Sequence, residues 1–195
     1  MEEKTLRTNF LFTIAKFILF LLIFCFAISF SKEFIKEIKA TKTIKTDILL
    51  YSIFSCFLFY TFFVNLNNLY GRFQKFFFHN SIFSLIISSF FIILGLGFFL
   101  IPKLFNLKFD KNIFLFSGGF ILTAHLIFIA QDLKGTNLFT FINYLFIFSI
   151  LYIFNLFLFT IYLNIAFKVS LIKIITSGTK EAVILIRNIF TQVVG

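Results

Sequence analysis

The sequence is poor in charge, in acid and in sulfur: 13% of its 195 residues are charged, eight are Asp or Glu, and two are Cys. Each shortage excludes something. Cys25 and Cys56 lie singly in apolar runs with no CxxC or Cys/His spacing, which argues against a disulfide framework and a thiolate metal site. No acidic residue lies deep in an apolar run, so the paired carboxylates of general acid/base chemistry are missing. HExxH, GxSxG and a glycine-rich loop behind a strand are missing too. The arginines, Arg7, Arg72 and Arg187, are dispersed rather than clustered for phosphate chemistry. These absences weigh against an enzyme, and neither a cofactor nor a metal is expected.

Apolar sequence fills the space. Hydrophobic residues make up 60% of the chain and the mean hydropathy is +1.02, against about 45–50% apolar and 25% charged in soluble domains. This is the composition of a membrane protein. A hydrocarbon core of about 30 Å needs roughly 20 apolar residues in a helix, and gaps between charges delimit five such stretches, near 10–30, 48–66, 81–101, 113–131 and 138–167. The fold class expected is therefore all-α, a five-span transmembrane bundle over residues 1–167 with an amphipathic tail at 168–195. The opening "MEEKTLRTNF" mixes acid and base and leads into an apolar run without an A-x-A-like cleavage site, so the first segment is expected to be retained.

Positive residues near span ends set orientation. Loop 32–47 carries Lys32, Lys36, Lys39, Lys42 and Lys45; loop 102–112 carries Lys103, Lys108 and Lys111; the tail carries Lys168, Lys173, Lys180 and Arg187. The other side has only Lys4, Arg7, Arg72, Lys75 and Lys134, with Lys16 snorkelling from the first span. The reading is a plasma or bacterial inner membrane, N-terminus outside and C-terminus cytoplasmic.

Two flanking segments read as amphipathic helices at the membrane interface. In 31–47, Phe34, Ile35 and Ile38 form a narrow apolar face among lysines, a composition suited to anionic lipid at the cytoplasmic face. In the tail, Thr179 is a plausible N-cap for a helix presenting Val183, Ile186, Phe190 and Val193, either to the membrane or to a partner subunit. The stretch "LYGRFQKFFFHN" (69–80) mixes rings with Arg72, Lys75 and His79. It reads as an interface anchor and not as a nucleic-acid site.

Polar residues inside spans turn toward other helices, so their angular positions carry information. Ser81, Ser88, Gly95 and Pro102 recur every seven residues, with Ser84 nearby, as a close-packing face. Gly118, His125 and Asp132 form a second stripe, and Tyr144, Asn155 and Tyr162, with Thr140 close by, form a third. Counting outward from a turn near Lys134 puts His125 level with Asn143 and Tyr144. The expected cluster is Ser88, His125 and Tyr144, chosen over Asn143, with Asp132 above it; Ser81, Gly95 and Gly118 serve helix packing. A histidine here either ties helices together or titrates and binds something, its charge favoured by Asp132. The function expected is a non-enzymatic subunit of a membrane complex, homo-oligomeric or with another membrane subunit, or a small transport component. The alternative is an intramembrane enzyme or sensor using His125 with Asp132.

Overall fold

A computed structural model describes residues 2–63, 66–78, 81–105, 110–134 and 138–194. Where lipid offers no hydrogen bonds, each backbone N–H and C=O must be satisfied within the chain, and helices do this locally. The described residues form α1 (Glu2–Ala40), α2 (Thr46–Phe62), α3 (Leu66–Phe77), α4 (Ser81–Ile86), α5 (Ser89–Phe105), α6 (Lys111–Asp132), α7 (Leu138–Phe167) and α8 (Leu171–Val194), with no strand among them. Local chemistry explains several ends. Asp110 caps α6, its carboxylate accepting from the Asn112 N–H at 2.8 Å. At the end of α7, Lys168 enters the left-handed region at φ 58° and donates its N–H to the Asn164 carbonyl. Ser170 then caps α8, its hydroxyl accepting from the Lys173 N–H at 3.3 Å.

The all-helical membrane class stands. By length and composition, α1, α6 and α7 are each able to cross a bilayer, and α2 with α3 makes a fourth passage if that pair, bent by 109°, counts as one. Five uninterrupted spans are not what the helices provide. The expected span 81–101 is broken between α4 and α5, where Ile87 and Ser88 leave the helical conformation and α5 is left a short apolar helix. The adjacent serines explain the site of the break, since Ser is a strong helix starter and competes for backbone hydrogen bonds. The segment read as an interface anchor also differs: residues 66–77 are the helix α3, with Tyr70, Gly71 and Gln74 buried and Arg72 and Lys75 exposed. His79 lies outside the described residues.

Cross-contacts give the helix directions. α1 and α7 run parallel, with Lys16 on Asn143, Ser31 on Tyr152 and Phe34 on Phe159. α2 runs parallel to α6, with Leu49 and Ser52 beside Gly119 and Tyr60 donating to the Ala124 carbonyl. α6 and α7 are antiparallel: Phe114 stacks on Tyr162 at 3.9 Å between centroids, and Gly118 meets Phe159 and Tyr162. The core lies along this central pair, where Phe114, Leu115, Phe159 and Leu163 are at most 2% exposed.

The first flanking segment is not a separate helix, and the second is a helix packed along α1. α1 continues unbroken to Ala40, burying Phe34 and Ile38 and leaving Ile35 exposed. Four charges near its end are held in ion pairs: Lys36 to Glu33 at 3.1 Å, Lys32 to Glu181 at 2.8 Å, and Lys173 to Glu37. The tail helix begins at Leu171, so Thr179 lies inside α8 and is not its cap. α8 runs antiparallel to α1 and buries the stripe Ile174, Gly178 and Ala182, not Val183 and Phe190, which stay exposed. Gly178 decides this face, because a Cβ there would collide with the Phe30 ring and stand 3.3 Å from the Phe30 Cα. Only glycine lets the two backbones approach so closely.

Candidate functional site: a polar junction at the broken span

The break between α4 and α5 frees backbone groups in the interior, and α3 supplies their partner. Gln74, fully buried, accepts the Ser89 N–H on Oε1 at 2.9 Å and donates Nε2 to the Ile87 carbonyl at 3.4 Å. One side-chain amide thus stands in for a missing piece of helix on both sides of the gap. A backbone N–H can only donate, so the Ser89 bond fixes which end of the Gln74 amide carries oxygen.

That orientation determines the next link. The Gln74 NH2 lies 3.2 Å from Nδ1 of His125, itself fully buried. An amide NH2 can only donate, so Nδ1 is the acceptor and the ring carries its proton on Nε2. The Tyr70 hydroxyl, one turn before Gln74 on α3, is 3.1 Å from the same Nδ1 and 2.8 Å from the Ser88 hydroxyl. The junction is therefore a chain of four side chains, Ser88–Tyr70–His125–Gln74, drawn from the break, α6 and α3. Apolar rings seal it, with Phe90 stacked on Tyr70 at 5.3 Å and Phe128 at 5.4 Å.

The structure thus brings Ser88 and His125 together, through Tyr70, and places the other predicted residues elsewhere. Tyr144 is half-buried on the groove between α1 and α7, a cavity of about 690 Å3, and stacks with Phe141 and Phe148. Its rival Asn143 accepts the Lys16 ammonium at 2.8 Å. Asp132 is exposed at the end of α6, on a cavity of about 310 Å3 shared with Asn67, Asn68, Arg72 and Lys75, and makes no ion pair among the described residues. Gly118 receives the Tyr162 ring so closely that a Cβ would clash, whereas a Cβ on Gly95 would sit at an ordinary 3.9 Å from Ile165. Ser81 opens α4; its side chain, like those of Pro102 and Thr140, lies outside the described residues.

Sequence reasoning missed Tyr70 and Gln74 because the rings and charges around them read as a membrane-interface anchor. The signal was nevertheless present. Tyr70, Gly71 and Gln74 fall at i, i+1 and i+4, one face of a helix, with Arg72 and Lys75 on the other.

Fold and junction together define an all-helical membrane protein with a polar junction in its interior. Comparison with protein-family models, curated proteins and solved structures finds no match to this chain.

Proposed function

We propose that the chain is a non-enzymatic component of a larger membrane assembly, a subunit or small transport component, in a plasma or bacterial inner membrane. The broken α4–α5 pair takes the place of the third of five passages. The N-terminus lies outside, the lysine-rich connection between α1 and α2 meets anionic lipid at the cytoplasmic face, and α8, running back along α1, leads the C-terminus away from the cytoplasmic side where the tail was expected.

The observation that carries this reading is on α8. Gly178 packs on Phe30 and α8 runs antiparallel to α1, so Arg187 and its neighbours come level with the apolar stretch "FILFLLIFCF" of α1. Yet Arg187, Asn188 and Gln192 are exposed there, beside Thr191, whose hydroxyl donates to the Arg187 carbonyl. Lipid cannot hydrogen-bond such a face. Polar groups of a partner helix, from another subunit or a second copy, would satisfy it and gain an interhelical attachment. The alternative, chemistry through His125 with Asp132, has less support, because the His125 ring points into α3 while Asp132 is exposed at the helix end.

Purification in mild detergent tests the reading. A stoichiometric partner, or a defined homo-oligomer, is expected, and replacing Arg187, Asn188 and Gln192 together by Leu releases it while the fold persists. A wild-type chain that runs as a monodisperse monomer in both detergent and lipid nanodiscs would overturn it. The orientation predicts that a cysteine introduced at Lys42 is labelled from the cytoplasmic side; labelling from outside reverses the threading.

A further inference from the structure

The four-residue chain accounts for one side of the His125 ring; the other side is unaccounted for. Nε2, which carries the proton, has no hydrogen-bond partner of good geometry among the described residues, the Leu85 carbonyl of α4 being the backbone group that interacts with the ring. A second orphan lies on α7. Asn155 is fully buried and donates Nδ2 to the Leu151 carbonyl at 2.9 Å, but its Oδ1 has no partner. A buried N–H or carbonyl left bare costs about 1–3 kcal/mol, so two at one place call for an explanation.

Register puts them at one place. Gly118 on α6 packs against Tyr162 on α7, and the helices are antiparallel. One heptad along each helix from that contact, on the same faces, lead to His125 and Asn155. The pairing holds further along, where Leu126 and Ala130 share a groove with Tyr152 and Phe148. The register therefore brings a buried donor on α6 and a buried acceptor on α7 to the same level, each without a direct partner.

We propose that this junction is a binding site for an internal water molecule, which accepts from Nε2–H of His125 and donates to Oδ1 of Asn155. The chemistry selects the ligand. A bare cation has nothing to accept the Nε2 proton, and an anion has no proton for Oδ1; water does both in the smallest volume. Nε2–H and Oδ1 give the water two of the two to four polar partners that buried waters have. The site extends the internal chain to Ser88–Tyr70–His125–water–Asn155, joining the broken span to α7 through the histidine.

The chain has two histidines, so a His79→Gln background leaves one imidazole to observe. With ring-15N-histidine in lipid bilayers, solid-state NMR reads the tautomer directly, and water-edited polarisation transfer reads contact between the ring proton and water. The expected result is an unprotonated Nδ1, a protonated Nε2 and strong transfer from water to the Nε2 proton. Asn155→Leu should cut that transfer several-fold while the tautomer, set by Gln74, stays unchanged; if this variant fails to fold, Asn155→Gln, with a displaced oxygen, should weaken it. A proton on Nδ1, a ring proton shielded from water, or transfer insensitive to both substitutions overturns the proposal.

Discussion

Gln74→Leu is the most informative substitution, because it changes hydrogen bonding at nearly constant volume. Leucine fills the same space on α3 but offers the Ser89 N–H no acceptor and the Ile87 carbonyl no donor; both bonds are made by Gln74 in the interior. Each buried backbone group left without a partner costs about 1–3 kcal/mol, so the pair costs about 2–6 kcal/mol. His125 loses one of its two Nδ1 contacts and keeps Tyr70, which adds little. Against a net stability of about 5–15 kcal/mol, the variant should lose much of its resistance to unfolding. Lys75→Leu is the control: Lys75 is exposed on the same helix, and such surface changes stay within about 0.5 kcal/mol. The chain has no tryptophan, so loss of helix by circular dichroism during SDS titration from mixed micelles is the suitable readout. If Gln74→Leu unfolds at the same SDS fraction as Lys75→Leu, the amide does not stand in for the missing backbone bonds and the account of the junction is wrong.

Other substitutions probe separate steps. Gly118→Ala should destabilise by about 1–3 kcal/mol through overpacking, since its Cβ displaces the Tyr162 ring from Phe114. Gly95→Ala, with its Cβ in ordinary contact with Ile165, should be neutral or stabilising by up to about 1 kcal/mol from helix propensity; the same titration ranks the two, and a reversed order refutes the packing argument. Lys168→Gly removes a left-handed non-glycine residue between α7 and α8 and should stabilise by about 1 kcal/mol, whereas a loss would show that the lysine side chain matters more than its backbone. His125→Leu should cost about 0.6–1.7 kcal/mol, the range of interhelical polar contacts. If a strain carrying this variant at normal abundance behaves as wild type, the histidine has only a structural part.

What could be read from the sequence was angular, and what could not was axial. Helical geometry fixes which residues share a face, and two expected stripes do meet: Gly118 lies against Tyr162. The level at which two helices meet is set by packing of their side chains over the whole contact. Counting from a tight turn near Lys134 matched His125 with Tyr144, whereas the Gly118 contact matches it with Asn155, and α7 begins about two turns beyond the end of α6. Phe114 and Tyr162 explain the slip, since their stacked rings and the Tyr162 hydroxyl on the Phe114 carbonyl lock the pair at that height. The same distinction explains α3. Its amphipathic face is visible in Tyr70, Gly71 and Gln74, but the requirement for an amide there arises only once a span breaks at Ser88. A glutamine between Phe73 and Lys75 looks like surface until the unpaired backbone of another segment is brought against it, so the junction is written in two places that only the fold connects.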